Sequence, residues 1–186
     1  MTPADSARFE SVRLQLKNAT WVELRWLQLG DEQRLGDFYA SVPRADYRFY
    51  RCQPLGRELA KEIAAKADSA TAVHLLAVDP ATAAIVGYAW YTWDHPDAAQ
   101  SVFGICLRPS HQGTGLGKAL MTQLLAAAKV VGPPLMTLTV QLANPRAVHL
   151  YQQMGFDVVR EQMRNGTPDF PPEPEYYMER RVRTTG

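Results

Sequence analysis

The chain has 186 residues, of which 21% are charged and 46% hydrophobic, and its net charge is +1. This length predicts one domain with its own core, since single cores become self-sufficient well below this size. Because the charge is close to neutral, nothing draws the whole surface to nucleic acid or membrane, and any anion site must be local. No apolar run reaches the roughly 20 residues of a membrane span, and the first six residues lack signal-peptide features, so we expect a cytoplasmic protein.

The cysteines and histidines do not predict a metal centre or a disulfide framework. Cys52 and Cys106 form no CxxC pair, and such a pair is what a redox motif or zinc site requires. The histidines are scattered, at residues 74, 95, 111 and 149, without the close spacing of ligand pairs on one helix or hairpin. We therefore expect no metal, and we expect Cys106 to lie in the core.

The first half of the chain predicts a leading strand or hairpin followed by two helices. Residues 12–16 and 20–26 alternate between apolar and polar types, which is typical of strands. Asp31 stands where a helix N-cap is expected, and Pro43 is expected to end that helix. A second helix is predicted after Pro54. The intervening segment, residues 44–53, is rich in aromatic residues and arginine and is predicted to line a pocket.

The second half predicts a mixture of strands and helices that does not alternate regularly. Strands are predicted at 72–78, 85–93 and 101–107, followed by a helix that starts at Leu116 and ends before Gly132. A strand at 135–140 and a helix with Asn144 as its N-cap come next. The last two strands, at 157–163 and 176–182, are joined by a proline-rich loop at 165–174. This order favours a mixed α/β fold over repeated βαβ units.

A glycine-rich turn joins the third of these strands to a long helix. Residues 107–118 read LRPSHQGTGLGK. Glycine lets backbone amides approach a ligand closely, and the free amides at a helix start attract anions. No Asp or Glu occurs from Ala98 to Phe156, while Arg108, Lys118 and Arg146 are present there. The turn predicts a polyanion site, although a turn of this kind also occurs as simple punctuation between elements.

Two motifs in this region resemble the GNAT N-acetyltransferase superfamily. Residues 112–117 resemble the acetyl-CoA signature Q/R-x-x-G-x-G/A, and residues 144–156 resemble a second motif, N-x-x-A-x-x-L-Y-x-x-x-G-F. The resemblance implies an α/β (α+β mixed) fold with a mixed, mostly antiparallel sheet of about seven strands and about four flanking helices. It implies a single domain over residues 1–186, in which residues 1–19 form an extension able to supply an extra strand.

The resemblance also implies acetyl-CoA as the acyl donor. It places the CoA pyrophosphate on the amides of Gln112, Gly113, Thr114, Gly115, Leu116 and Gly117, together with Lys118, and the pantetheine arm along the backbone of Ile105, Cys106 and Leu107. Asn144 would contact the cofactor arm, but its side chain is also a natural helix cap, and both roles stay open.

Tyr151 is the implied catalytic acid. A phenol with an ordinary pKa of ~10 stays protonated at neutral pH and can donate to a departing CoA thiolate. Its alternative role is an aromatic residue on the apolar stripe of a helix. Many family members carry a Glu on the strand before the cofactor turn, but residues 101–106 contain none. Asp94, His95 and Glu175 are therefore the candidate proton acceptors, of which we retain Asp94 and Glu175.

The acceptor pocket is expected, by the same resemblance, from two segments. The late segment is acidic and aromatic and suits a cationic amine, whereas the arginines of the early segment suit a carboxylate on a peptide or amino acid. The candidate substrate-binding residues are Tyr47, Tyr50, Phe170 and Tyr176, beside Phe49, Arg44, Arg48, Arg51, Asp169 and Glu173.

The leading interpretation is an acetyl-CoA-dependent N-acetyltransferase acting on a primary amine. The alternative is a CoA-binding regulatory or sensor protein of the same fold, which the missing strand carboxylate favours. A dinucleotide-binding oxidoreductase is disfavoured because the glycines lack the G-x-G-x-x-G spacing. We expect a monomer or homodimer with no nucleic-acid or membrane partner.

Overall fold

A computed structural model of the chain describes residues 9–50 and 55–183. The expectations for the first residues, for Arg51 and for Pro54 lie outside these ranges. The strands are β1 Val12–Gln15, β2 Trp21–Trp26, β3 Ala72–Val78, β4 Ile85–Thr92, β5 Gln100–Leu107, β6 Leu135–Gln141, β7 Asp157–Arg164 and β8 Glu173–Arg181. The α-helices are α1 Glu32–Ala40, α2 Arg57–Ala64, α3 Leu116–Ala128 and α4 Pro145–Gln153, and short 3-10 helices form at Leu29–Asp31, Arg44–Phe49 and Pro109–His111.

The described strands form one sheet in the order β1-β2-β3-β4-β5-β6-β8-β7. All neighbouring pairs are antiparallel except β5 and β6. The prediction of a mixed, mostly antiparallel sheet is confirmed, with eight strands where about seven were expected. None of the described helices is long and apolar enough to cross a membrane.

The core consists of two apolar layers, one on each face of the sheet. On one face, Leu76, Tyr88 and Cys106 pack with α1 and α2 residues such as Phe38 and Ala60. On the other face, alternate strand residues such as Leu75 pack with α3 and with Tyr151 of α4. This division follows from the two-residue period of a strand, which points successive side chains to opposite faces.

The sheet opens between β5 and β6. These two strands pair only from Gln100–Leu135 to Val102–Thr137. Beyond that point β5 continues along β4 as far as Leu107, whereas β6 continues along β8 as far as Gln141. A gap therefore separates the two halves of the sheet, with its closed end at residues 100–102.

Strand β8 begins three residues earlier than predicted, at Glu173. A proline lacks the N–H that an interior strand needs, which is why Pro174 was expected in the loop. Pro174 lies beyond the last β6 partner, Gln141, which pairs with Glu175. The missing N–H therefore costs no bond to β6, and the Pro174 carbonyl accepts from the amide of Leu142 at 3.0 Å.

Asp31 precedes helix α1 as predicted, but its side chain makes no cap hydrogen bond to that helix. The carboxylate instead accepts both Nη atoms of Arg25, at 2.6 and 2.7 Å, and the amide of Gln28 at 2.9 Å. Asp31 therefore occupies the predicted N-cap position, but its carboxylate binds Arg25 because a buried carboxylate gains more from a bidentate arginine than from one backbone N–H.

Candidate active site

The glycine-rich turn forms an open helix start at the end of β5. Gly113 and Gly115 have φ of +77° and +94°, a left-handed conformation that L side chains rarely adopt. The Thr114 hydroxyl donates to the His111 carbonyl at 2.7 Å and closes the turn. No side chain caps the start of α3 at Gly115, so the first amides of this helix remain available to an anion.

The third glycine of the turn allows α3 and α4 to approach each other. Gly117 is buried, and a Cβ added there would lie 3.1 Å from Cδ2 of Leu150 on α4. A side chain at this position would have to displace Leu150 by a few tenths of an ångström, so glycine favours the close contact between the two helices.

Positive side chains surround the turn. Lys118 is exposed on the first turn of α3, and Arg146 Nη1 donates to Gln112 Oε1 at 3.1 Å. Lys17, in the turn between β1 and β2, donates its amide to the Thr114 carbonyl at 3.0 Å. Open amides, left-handed glycines and these cations fit the pyrophosphate of CoA, which is anionic and needs close backbone approach.

The gap in the sheet opens into a cleft on the α1/α2 face. The cleft has a volume of about 720 Å³ and extends from β3 and β4 across the gap to β7 and β8. Eight of its lining residues are Phe, Tyr or Trp. Pockets of this size, lined by aromatic groups with a few polar side chains, are typical of small-molecule sites.

Tyr151 reaches this cleft through the gap. It lies on α4, packs edge-on against Phe103 with ring centroids 6.0 Å apart, and is 7% exposed, yet it lines the cleft on the opposite face. Burial raises the pKa of Tyr151 above the ordinary value of a phenol. The hydroxyl is therefore protonated at neutral pH and can donate a proton.

Helix α4 is fixed by the cap that Asn144 supplies. The Asn144 Oδ1 accepts from the Ala147 amide at 3.2 Å, and Pro145 occupies the first helical position, as helix starts prefer. The side-chain oxygen of Asn144 thus accepts the cap hydrogen bond, and its amide NH₂ is available for the cofactor contact that the resemblance implies.

The partly buried Tyr50 and the buried Cys106 form a pair beside Tyr151. Burial raises the pKa of Cys106 to about 12, against the opposing effect of a hydrogen bond from the Tyr50 hydroxyl. Burial also raises the pKa of Tyr50, followed by its interactions with Cys106 and with Tyr151. At neutral pH, Cys106 is a thiol and a poor nucleophile.

The cleft floor is a stack of three rings from β3 and β4. His74 lies parallel to Tyr88, with centroids 5.9 Å apart, and Tyr88 lies parallel to Trp90 at 4.7 Å. His74 Nδ1 shares a hydrogen bond with Tyr88 Oη at 2.7 Å. Burial, and then the charge of Lys66, lower the pKa of His74 to about 4, so the imidazole is neutral at physiological pH.

The far wall of the cleft carries Arg160, Gln162 and Tyr177. The Arg160 guanidinium lies 3.8 Å from the Tyr177 ring centroid, and Arg160 Nε donates to Gln162 Oε1 at 3.0 Å. Gln162 Nε2 in turn donates to Glu175 Oε1 at 2.9 Å. Glu175 is 1% exposed and therefore lies beneath this wall. A single hydrogen bond connects it to Gln162, which lines the cleft.

Four predicted site residues lie away from the cleft. Asp94 is exposed after β4, at the closed end of the gap. Tyr47 donates to the Leu55 carbonyl at 3.4 Å, and Phe170 lies in a separate shallow depression. Tyr176 packs into the core on the α3 face, because adjacent residues of a strand point to opposite faces.

The early arginines are engaged within the protein. Arg44 pairs with Asp169 at 3.4 Å, and Arg48 pairs with Glu173. These four residues were expected to face the acceptor. Their ion pairs instead attach the late loop to the 3-10 helix Arg44–Phe49.

Trp90, Arg160 and Tyr177 were not among the residues predicted for the site. Tyr177 could have been found from Glu175, since residues two apart in a strand share a face. Gly104, a glycine inside a strand, signals a close approach by another group, and that group is Trp90. The position of Arg160 depends on the pairing of β7 with β8, which no local pattern specifies.

Comparisons with known proteins agree on one family. The family model described as Acetyltransferase (GNAT) family matches residues 69–156. L-amino acid N-acyltransferase MnaT of Escherichia coli (strain K12) is 32% identical over 89 residues, which are 45% of this chain and 50% of that protein. The chain thus matches only half the length of this curated relative.

Solved structures share the fold. An acetyltransferase of the GNAT family from Streptococcus pneumoniae has a TM-score of 0.74 at 24% identity, covering 87% of this chain and 99% of that one. YncA from Salmonella typhimurium, solved with its cofactor acetyl-CoA, has a TM-score of 0.74 at 18% identity, covering 89% and 96%. The match of residues 69–156 to the family model, together with the shared fold, supports membership of the GNAT acetyltransferase superfamily.

Proposed function

We propose that the protein is an acetyl-CoA-dependent N-acetyltransferase that moves an acetyl group to the primary amine of a small molecule or peptide. The observation that carries this proposal is the gap between β5 and β6. It leads from the glycine turn, on the α3 side, into the aromatic cleft on the other face, and Tyr151 stands in it. A donor and an acceptor that enter from opposite faces meet at such a gap and need no covalent enzyme intermediate.

The donor side of the proposal uses the turn and the open edge of β5. The amides of residues 112–117, with Lys118, would hold the pyrophosphate. Pairing of β5 with β6 stops at Val102, so the backbone of residues 105–107 is open on that side to an extended pantetheine arm. The bound cosubstrate supplies an activated acetyl thioester.

The protein residues would manage the protons of the transfer. The acceptor nitrogen bonds to the acetyl carbon, the carbon–sulfur bond breaks, and the departing thiolate takes a proton from the Tyr151 hydroxyl. The nitrogen gives up the proton that the amide does not keep, which restores the phenol. No group is oxidised or reduced, and the products are an amide and a thiol.

An alkylamine, with a pKa near ~10.4, enters mostly as the ammonium ion and must lose one further proton. Glu175 is our candidate to accept it, since the carboxylate holds Gln162 in the cleft wall. Asp94 stays a prediction; it is exposed and follows β4 at the closed end of the gap, where Thr92 pairs with Val102.

In this proposal the protein is a single domain over residues 1–186 and acts in the cytoplasm as a monomer or homodimer. Its partners include neither nucleic acid nor membrane. Among the described residues, no group of three or more His, Cys, Asp or Glu side chains is arranged to hold a metal ion. Apart from the missing carboxylate on β5, no observation favours the regulatory or sensor alternative.

The test is thiol release from acetyl-CoA in the presence of amino acids, N-terminal peptides, polyamines and aminoglycosides, with product masses recorded. Tyr151→Phe should lower kcat on the order of 10²- to 10⁴-fold, the usual contribution of general acid catalysis. Tyr91→Phe is the matched control, because it removes another buried hydroxyl, bonded to the Val131 carbonyl at 3.1 Å. Tight CoA binding without turnover of any amine would favour the sensor alternative.

A further inference from the structure

Two side chains from other strands, Trp90 and Arg160, extend toward the edges of the gap between β5 and β6. On the β5 edge, Trp90 of β4 stands opposite Gly104, and its indole occupies the place where a side chain at residue 104 would begin. The indole thus extends from β4 to the edge of the gap and offers a flat apolar surface there. It lines the cleft and is partly exposed.

On the β6 side, the corresponding side chain is a cation. Arg160 of β7 stands opposite Tyr177 of β8, and its guanidinium lies 3.8 Å from that ring centroid. Tyr177 in turn stands opposite Thr139 of β6. Since neighbouring strands are about 4.8 Å apart, the charge sits about one strand spacing from the edge of the gap.

Arg160 has free hydrogen-bonding capacity. Its Nε donates to Gln162, and it forms no ion pair with any carboxylate of the described residues. The other arginine that lines the cleft is Arg164, and its two Nη atoms donate hydrogen bonds to the carbonyls of Arg48 and Tyr50, each at 2.7 Å. Arg160 is therefore the arginine of the cleft wall that can bind a carboxylate in two-pronged fashion.

An acceptor amine at Tyr151 is thus flanked by an indole on one side and a guanidinium on the other. The guanidinium repels an acceptor that carries a second positive charge close to its amine, which disfavours polyamines despite the aromatic lining. A carboxylate beside the amine matches the guanidinium, and a planar or bulky apolar group matches the indole.

We propose that the acceptor is an α-amino acid with a large aromatic side chain, whose carboxylate binds Arg160 and whose side chain stacks on Trp90. This inference rests on the proposed N-acetyltransferase function and specifies its substrate class. An α-amino acid carries its amine, its carboxylate and its side chain on one carbon, so the three groups diverge toward the gap, the guanidinium and the indole.

The test compares L-phenylalanine with phenethylamine, which lacks only the carboxylate, and with L-alanine, which lacks the ring. We expect kcat/KM to be highest for L-phenylalanine, by about tenfold or more over each of the other two, and lowest for spermidine. Arg160→Gln should raise KM for L-phenylalanine about ten- to a hundred-fold, the usual effect of losing a charged hydrogen-bond pair, and should leave phenethylamine unchanged. Arg181→Gln, which removes an exposed arginine on β8, is the control and should change neither.

Trp90→Leu tests the other half of the inference. It should reduce the preference for L-phenylalanine over L-alanine while leaving the preference for L-phenylalanine over phenethylamine in place. The inference would be overturned if Arg160→Gln lowered kcat/KM equally for L-phenylalanine and phenethylamine. It would also be overturned if the wild type preferred phenethylamine or spermidine to L-phenylalanine. Neither result would contradict the transferase proposal.

A binding measurement separates this inference from the proposed function. Calorimetric titration of the protein with CoA present should show L-phenylalanine binding that Arg160→Gln weakens, even in the absence of turnover. Turnover of none of the amines would contradict the transferase proposal, and absence of L-phenylalanine binding would contradict the substrate class.

Discussion

The indole of Trp90 covers the backbone of Gly104 so closely that residue 104 has no room for a side chain. A Cβ built there would lie 2.2 Å from Cζ2 and 2.4 Å from Cε2 of the ring. Because β4 and β5 pair at these two residues, the ring cannot withdraw without changing the floor of the cleft.

Gly104→Ala should therefore push the Trp90 indole off the β5 edge of the gap. Overpacking of this kind costs about 1–3 kcal/mol of stability, and the displaced ring should raise the KM of the acceptor several-fold while the affinity for CoA stays within twofold. Steady-state kinetics for both substrates and a urea midpoint measure the three quantities.

Gly30→Ala is the matched control for this substitution, because a Cβ at residue 30 meets nothing within 4 Å. It should leave both KM values and the urea midpoint unchanged. If Gly104→Ala behaved like Gly30→Ala, the indole would not be fixed over the gap in solution.

Gly115→Ala tests the backbone of the cofactor turn. With φ at +94°, an L side chain costs about 1–2 kcal/mol, and relaxation of that strain would rotate the amides away from the anion. We expect lower stability and at least a tenfold loss of CoA affinity, measured by calorimetry. Gly155→Ala, at φ +76° beside the flexible end of Arg180, should lose similar stability but retain CoA affinity.

Lys17 brings a charge to the same turn from a distant part of the chain. Its side chain passes over Gly115, with Cγ 3.8 Å and Cε 3.9 Å from the place where a Cβ would be. Lys17→Met removes the charge and keeps the stem, so we expect CoA affinity to fall about two- to five-fold, the usual effect of one cation near an anion site. Added salt should reduce the difference.

Lys61→Met provides the control for this charge effect, since Lys61 is exposed on α2, on the other face of the sheet. It should leave CoA affinity unchanged at every salt concentration. Equal CoA affinities for the wild type and Lys17→Met at low salt would mean that Lys17 contacts the turn only through its backbone.

The order of the elements and the cofactor turn followed from the sequence because both depend on local chemistry. Alternation along strands, the Asn144-Pro145 helix start and the run of glycines each fix a backbone conformation within a few residues. The acceptor cleft depends instead on which strands pair. Arg160 and Trp90 are 70 positions apart and face the same gap only because β5 and β6 separate after Val102.

Tyr176 was predicted to line the acceptor pocket, but its side chain lies on the other face of the sheet. Glu175 was already a candidate proton acceptor, and the two-residue period of a strand then assigns Tyr177, not Tyr176, to the same face. The arginines of the early segment were expected to face the acceptor, and the sequence could not show that they form ion pairs within the protein. Their partners, Asp169 and Glu173, follow more than 120 residues later, and no periodicity connects the two segments.

The buried carboxylate of Asp31 should make the stability of the fold depend on pH. Burial by itself would raise the pKa of Asp31, but the hydrogen bonds from Arg25 and from the Gln28 amide outweigh it, so the pKa is lowered. A lowered pKa means that the folded state favours the ionised form, which contributes stability above the unfolded pKa of about 3.9. That contribution is lost as the pH falls through the folded pKa, below about pH 4.

Asp31→Asn should therefore cost about 3–5 kcal/mol at pH 7, because it leaves the largely buried Arg25 without its counter-charge. Urea unfolding of the wild type and the variant at pH 7, 5, 4 and 3 measures the difference. We expect it to be constant from pH 7 to 5 and to shrink below pH 4, as the wild-type carboxylate also becomes neutral. A difference that stayed the same down to pH 3 would place the stabilisation in the shape of the side chain and not in its charge.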